Sequence, residues 1–201
     1  MTERSGRGEE AQATAKAAFN LGNGLAQAGK AEEAHTAWRT AIEQGTASAM
    51  PEGRVVAAKA ACNLGIRLDK AGKTEEASAA YGTAIELGMA SATPEGRAVA
   101  ANTGFNLGIS LDKAGKTDEA NEAWRTSIEQ GRASAVPQGL AVAAKAALHL
   151  GISLYNAGKS EEASAAWRAA IEHGRASAVP QGLAVAAKAA SHLGISLDNL
   201  R

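Results

Sequence analysis

Several residue types are scarce in this chain, and each scarcity excludes a structural feature. Cys62 is its only cysteine, so no disulfide can form within the chain. Aromatic residues make up 3% of its 201 residues, whereas apolar residues make up 45%, and many of these are alanine. Alanine favours helices and buries little area per residue. The composition therefore predicts closely packed helices rather than a core of large side chains.

An excess of charge of either sign is also missing. Lys and Arg together number 21, as do Asp and Glu, which is not the basic balance of a nucleic-acid or membrane-surface binder. No apolar run reaches membrane-spanning length, and the opening MTERSGRGEE lacks the apolar core of a secretory signal. We therefore expect a soluble, cytoplasmic protein with no nucleic-acid or membrane partner and a flexible tail over residues 1–8.

The main feature of the sequence is a repeated segment. The segment NLGISLDKAGK at residues 106–116 has counterparts that begin at Asn20, Asn63, His149 and His192. The interval is 43 residues each time, without insertion or deletion. A fixed period of this size is typical of arrays in which stacked units complete one another's core.

Each repeat reads as two helices. In the third copy we predict a first helix from Pro94 to Ala114, with Thr93 as its N-cap, because proline favours the first helical position. Gly115 is expected in the turn that follows. A second helix is predicted over residues 118–130, capped by Thr117 and ended by Gly131.

The first copy has Ala31 at the cap position, which predicts that its second helix is the least well capped. Four hairpins and a final single helix at about residues 180–200 give about nine helices. We predict a single array over residues 9–201.

Within each repeat the residues match a known pattern. In the second copy the matching residues are Leu64, Gly65, Leu68, Gly72, Ala77, Tyr81 and Ala84. Four copies of this pattern in register resemble the tetratricopeptide repeat (TPR), in a variant longer than the usual length of about 34 residues. Sel-like repeats are the second-ranked resemblance. Either resemblance implies an all-α, right-handed α-solenoid of helix-turn-helix repeats.

One glycine per repeat lies inside the first helix, at Gly22, Gly65, Gly108, Gly151 and Gly194. An interior glycine costs about 1 kcal/mol of helix stability relative to alanine. The TPR resemblance implies that this position lets the second helix approach closely.

No pattern in the sequence indicates catalysis, a metal site or a cofactor, and we expect a protein that is not an enzyme. His149 and His192 share a repeat position and could stack near each other, whereas His35 and His173 lie among surface-type residues. One aromatic residue per repeat, at Trp38, Tyr81, Trp124 and Trp167, is expected to fill the space between a hairpin and its neighbour.

The TPR resemblance also implies a partner-binding groove, because first helices line a concave face in that family. Positions at fixed offsets from the interior glycine would face it, and those selected as partner-binding residues are Phe19, Asn23, Lys59, Ile66, Lys70, Phe105, Ile109, Asp112, Lys145, Leu148, Ile152, Tyr155 and Ile195. The same offsets also give Ala26, Gln27, Cys62 and Asn102.

The chaperone-binding members of that family hold a C-terminal carboxylate in a basic, Asn-rich clamp. Phe, Cys, Leu and Ile at the middle positions here predict that this clamp is not assembled. Ile66, Ile109, Ile152 and Ile195 would instead form an apolar row flanked by charges, which suits a peptide or helix of a partner. Alternatively, these isoleucines pack between successive first helices.

The last helix has no second helix after it, which leaves Leu193, Leu197 and Leu200 at the C-terminal end for self-association into a dimer, ring or filament. Three functions therefore stay open. They are a scaffold that binds a protein or peptide partner, a self-assembling structural protein that forms homo-oligomers through its terminal helices, and a designed or consensus array without a native ligand.

Overall fold

The chain folds almost entirely into helices. The computed structural model describes residues 2–48 and 50–194, and over this part it has nine helices and no strand. They are α1 (Thr2–Gln27), α2 (Ala31–Ala47), α3 (Pro51–Lys70), α4 (Thr74–Ala90), α5 (Pro94–Lys113), α6 (Thr117–Ser134), α7 (Pro137–Asn156), α8 (Ser160–Ser177) and α9 (Pro180–His192). Consecutive helices pack against each other, so the predicted all-α solenoid class is confirmed.

The chain divides into two compact units, Met1–Thr103 and Gly104–Arg201, and the division falls within α5. In unit 1, α1 packs on α2 and α3 on α4, and α2 and α1 both contact α3. In unit 2, α7 packs on α6, α8 and α9, and α8 also contacts α9. A single array over residues 9–201 stays a prediction. Residues 2–8, expected as a flexible tail, belong to α1.

The first helices begin and end as predicted. Proline is the first residue of α3, α5, α7 and α9, and the Thr93 Oγ1 atom accepts a hydrogen bond from the Gly96 backbone N–H at 3.0 Å. Gly115 follows α5 with a φ of 76°, and the Lys116 N–H donates to the Leu111 carbonyl at 2.9 Å. This is the glycine-closed helix end that the sequence indicated.

The predicted caps of the second helices are wrong. A lysine precedes each of α2, α4, α6 and α8, none of the four makes a side-chain cap hydrogen bond, and Thr117 is the first residue of α6. The second helix of the first copy, α2, therefore lacks a side-chain cap just as the other three do. Acidic residues in the first turn of every second helix instead complement the helix dipole.

Gly131 does not end α6, which continues to Ser134. Because Gly131 has no side chain, α6 can approach α7 closely at this position. A Cβ at Gly131 would lie 2.5 Å from the Gly139 carbonyl oxygen and 2.9 Å from Ala143 Cβ. Ser134 Oγ donates to the Gly131 carbonyl at 2.7 Å. The left-handed residue that terminates α6 is Ala135.

The same junction occurs at each transition from a second helix to the next first helix. The glycine pairs are Gly45–Gly53, Gly88–Gly96, Gly131–Gly139 and Gly174–Gly182, and the serines that bond back to the first glycine are Ser48, Ser91, Ser134 and Ser177. Glycine at both positions lets the two backbones approach closely.

The predicted role of the interior glycine is confirmed at four copies. A Cβ at Gly108 would lie 2.5 Å from Trp124 Cδ1, and Gly22, Gly65 and Gly151 meet the rings of Trp38, Tyr81 and Trp167 in the same way. The glycine thus provides the space into which the aromatic ring of the second helix packs. Gly194 differs, because it lies beyond the end of α9 with a φ of 67°, and no atom of the described residues lies within 4 Å of its Cβ position.

Candidate partner-binding surface

The side of unit 1 formed by α1, α3 and the start of α5 carries two cavities, and we call it the first-helix surface. The first, the polar cavity, has a volume of about 260 Å³. Its lining residues are Asn23, Ala26, Gln27, Trp38, Asn63, Ile66, Arg67 and Lys70. Five of these eight were expected on the groove from the sequence, and the other three are Trp38, Asn63 and Arg67.

A hydrogen-bond network fixes the amides of the polar cavity. Asn23 Oδ1 accepts from Trp38 Nε1 at 3.1 Å and from Asn63 Nδ2 at 2.9 Å. Two donors thus satisfy the Asn23 oxygen, and the Nδ2 group is the remaining hydrogen-bonding group of this amide. Arg67 and Lys70 add two exposed cations, and the lining includes no carboxylate. The cavity is therefore suited to an anionic group.

The second, the apolar cavity, has a volume of about 290 Å³. Its lining residues are Phe19, Lys59, Cys62, Asn63, Glu95, Ala98, Val99 and Asn102. Lys59 Nζ lies 2.6 Å from Glu95 Oε1, so an ion pair joins α3 to α5 at this cavity. Asn63 lines both cavities, which makes them neighbours on one surface.

Cys62 is buried, as expected of a small apolar residue on a packed helix. Tyr81, on α4, is buried nearby. Desolvation, with contributions from Asp69 and Cys62, raises the pKa of the Tyr81 hydroxyl far above its ordinary value. Tyr81 therefore keeps its proton and serves as a packing residue of the hairpin.

In unit 2, aromatic side chains pack where the equivalent repeat positions of unit 1 line the cavities. His149 occupies the repeat position of Asn63, and its ring lies 5.3 Å from that of Phe105 and 5.6 Å from that of Trp124. His192 stacks on Trp167 at 4.8 Å. The two histidines thus contact different tryptophans. The rings of Trp124 and Trp167 fill the space between a hairpin and the next first helix, as predicted.

Burial also sets the chemistry of His149. Desolvation lowers the pKa of His149, although Asp112 partly opposes the shift and Lys188 adds to it. The Nε1 atoms of Trp124 and Trp167 are buried and have no acceptor among the residues that the structure describes, in contrast to that of Trp38. Ile109 and Ile152 stand where Asn23 provides that acceptor in the first repeat.

The isoleucine row is half-buried rather than freely exposed. Ile109 and Ile152 pack against the core of unit 2, and Ile66 packs against Ala61, Cys62 and Ala84 while also lining the polar cavity. Ile195 lies outside the described residues. A partner-binding role for this row stays a prediction.

The other predicted groove positions in unit 2 differ in exposure. Leu148 is buried and Lys145 is half-buried, whereas Asp112 is exposed. Tyr155 is 59% exposed, with its ring 5.8 Å from that of Trp167. Tyr155 is thus the large apolar side chain that this part of the surface presents to solvent.

At the C-terminal end, only Leu193 of the three expected self-association residues is described. It is partly buried and packs against the core of unit 2. Leu197 and Leu200 lie outside the described residues.

The surface positions expected for His35 and His173 are wrong, since both side chains are buried. Desolvation lowers the pKa of His173, with a smaller opposing effect of Glu172 and a small further lowering by Arg132. In the described part of the chain, no three His, Cys, Asp or Glu side chains lie together as a metal site would require. None of its helices combines the length and apolarity needed to span a membrane.

Comparisons with known proteins bear on the fold. No protein-family model and no curated protein sequence matches this chain. The crystal structure of MamA is similar over 80% of this chain and 78% of its own, with 19% identity and a TM-score of 0.53. The crystal structure of BtubC (BKLC) from P. vanneervenii is similar over 96% and 89%, with 15% identity and a TM-score of 0.51. At these identities the likeness establishes the helical-repeat fold alone.

Proposed function

We propose that this chain is a non-enzymatic, TPR-type scaffold that binds a segment of a partner protein on the first-helix surface of unit 1. The observation that carries the proposal is the pair of adjoining cavities. Residues chosen from the sequence as groove positions, including Asn23, Lys70, Phe19 and Lys59, line them. The likeness to other helical-repeat structures supports a binding scaffold in a general way.

The chemistry of the cavities specifies the segment. Arg67, Lys70 and the Asn23 amide favour an anionic side chain in the polar cavity. Phe19, Ala98 and Val99 favour an apolar side chain in the apolar cavity. A peptide with an acidic and an apolar side chain a few residues apart would fill both, in an extended form or on one face of a helix.

The lining groups hold one another in place, which favours the binding of a partner. Lys59 is paired with Glu95, and the Asn23 oxygen is bonded to Trp38 and Asn63. Such preorganised groups reduce the cost of ordering the surface when a partner binds.

Self-assembly through Leu193, Leu197 and Leu200 has less support, because Leu193 packs against the core of its own unit. A designed array without a ligand is disfavoured by variation at the groove positions, since one repeat position holds Phe19, Cys62, Phe105 and Leu148 in successive copies.

The proposal is tested by selecting peptides from a random display library against the chain and measuring their affinity by fluorescence anisotropy. We expect peptides with an acidic and an apolar residue, and about tenfold weaker binding to Lys70→Glu because a favourable cation becomes a repulsive anion. Ala98→Phe, which fills the apolar cavity, should weaken binding as well. Arg168→Glu, an equal charge change at an exposed position of α8, is the matched control. Selected peptides that bind Lys70→Glu and Ala98→Phe as tightly as they bind Arg168→Glu would contradict the proposal.

A further inference from the structure

Three polar side chains at the polar cavity form hydrogen bonds whose direction is fixed. Trp38 Nε1 and Asn63 Nδ2 both donate to Asn23 Oδ1, at 3.1 Å and 2.9 Å. An indole nitrogen can only donate, so it requires the oxygen of Asn23, rather than its nitrogen, on that side. The same oxygen then requires the nitrogen of Asn63 beside it. Trp38, which is only 2% exposed, thereby fixes the orientation of both amides.

As a result, the group that Asn23 has left for the polar cavity is a donor. Its oxygen is satisfied, and its Nδ2 atom donates to none of the described residues. Asn23 is half-buried and lines the cavity together with the exposed cations Arg67 and Lys70. A fixed donor beside two cations complements an anion. Without the indole, the amide could rotate by half a turn and point its oxygen at the cations instead.

The third and fourth repeats show that the hairpin does not require this network. In the third repeat, Trp124 packs on Gly108 as its counterpart does in the first repeat. Ile109, however, occupies the repeat position of Asn23. The fourth repeat has the same arrangement around Trp167, and neither indole N–H has an acceptor among the residues that the structure describes. Packing of the hairpin alone therefore does not account for the amide network of the first repeat.

We propose that Trp38 is a positioning residue that, through Asn23, makes the polar cavity prefer a carboxylate side chain over an amide of the same shape. This inference rests on the proposed function and specifies which group of the partner segment occupies the polar cavity. A carboxylate only accepts hydrogen bonds, so it matches the donor that Trp38 keeps in place on Asn23. Otherwise part of the binding free energy would be used to turn the amide oxygen away from Arg67 and Lys70.

Acidic peptides from the random library serve as probes, each paired with an analogue in which glutamine or asparagine replaces the acidic residue. The measured quantity is the ratio of the two dissociation constants, amide peptide to acidic peptide, obtained by fluorescence anisotropy. We expect Trp38→Phe to reduce this ratio by about threefold or more, the equivalent of one hydrogen bond. A purely structural role of the indole would weaken the binding of both peptides by the same factor and leave the ratio unchanged.

Two further variants complete the test. Trp124→Phe is the matched control, because it makes the same change where the indole has no acceptor in the described part of the chain, and it should leave the ratio unchanged. Asn23→Ile removes the donor itself and introduces the residue that the third and fourth repeats carry at this position. It should reduce the ratio as Trp38→Phe does, even if Trp38→Phe folds poorly. Circular dichroism establishes which variants fold.

The outcomes separate this inference from the proposed function. An unchanged ratio in folded Trp38→Phe or in Asn23→Ile would overturn the inference, and so would an equal fall in Trp124→Phe. The proposed function would survive these results if Lys70→Glu still weakened binding. Peptides whose binding does not depend on Lys70 would overturn the proposed function and the inference together.

Discussion

Trp124 packs its indole ring against Gly108, so closely that a Cβ on the glycine would lie 2.5 Å from Cδ1 of the ring. The glycine belongs to α5 and the tryptophan to α6, and the pair joins the two helices of one hairpin. We predict that Gly108→Ala lowers stability, because overpacking costs about 1–3 kcal/mol and exceeds the gain of about 1 kcal/mol in helix propensity. Gly108→Leu should splay the hairpin and cost more. The midpoint of urea unfolding measures both.

Gly82 provides the control for this prediction. It lies in the middle of α4 with no atom within 4 Å of its Cβ position. Gly82→Ala should therefore raise stability by about 0.5–1 kcal/mol. If Gly108→Ala raised stability by a similar amount, the close contact would not restrict that position.

The indole N–H groups of the first and third repeats differ in their partners. Trp38 Nε1 donates to Asn23 Oδ1, whereas Trp124 Nε1 is buried and finds no acceptor in the described part of the chain. Replacement by phenylalanine removes the same atoms at both positions, but only Trp38→Phe removes a hydrogen bond. We predict that Trp38→Phe is more destabilising than Trp124→Phe by about 1 kcal/mol or more, as measured by urea unfolding. Equal losses would show that the Trp38–Asn23 bond adds nothing to stability.

The glycine junction before the last described helix offers a local test. A Cβ at Gly174 would lie 3.0 Å from Ala186 Cβ and would also meet the Gly182 carbonyl oxygen. We predict that Gly174→Ala loosens α9, so that its amide hydrogens exchange about tenfold faster or more. Exchange in α3 and α4 serves as the internal reference. Unchanged protection of α9 would mean that the junction tolerates a methyl group.

Stability should fall on mild acidification. Burial lowers the pKa of His149 and His173 in the folded protein, so below the ordinary value of about 6.5 the unfolded chain binds more protons than the folded one. The stabilisation is present above that pH and is lost progressively as the pH falls towards the folded pKa values. We predict a lower urea midpoint at pH 5 than at pH 7.5.

The repeats themselves suggest the control for this effect. Asn106 stands at the repeat position of His149, and Gln130 at that of His173. The double variant His149→Asn and His173→Gln should lose less stability between the two pH values than the original chain. If both proteins lost the same amount, other groups would account for the acid sensitivity.

The repeat period and the turn glycines were sufficient to predict the helices. The ends of the second helices were not predictable, because a glycine near a helix end has two uses that look alike in a sequence. Gly115 adopts a left-handed turn, whereas Gly131 stays helical and provides space for α7. Only the position of the neighbouring helix distinguishes them.

Only part of the candidate site could be predicted, because fixed offsets within a repeat do not give every residue that reaches a cavity. Offsets within one repeat identified Asn23 and Lys70, which line the polar cavity. Asn63 and Arg67 were missed, because they lie two residues before and two residues after Gly65, which are not among the offsets used. His173 was misplaced because its residue type suggested the surface, whereas the structure buries it.

The junction of paired glycines and a returning serine has a consequence for evolution. Because the same small residues and the same hydrogen bond join a second helix to the next first helix at every described transition, one repeat can be inserted or removed without redesigning its neighbours. A duplication of 43 codons would bring its own connectors with it. The length of such a protein can therefore change by whole repeats, while the side chains on its first helices diverge independently.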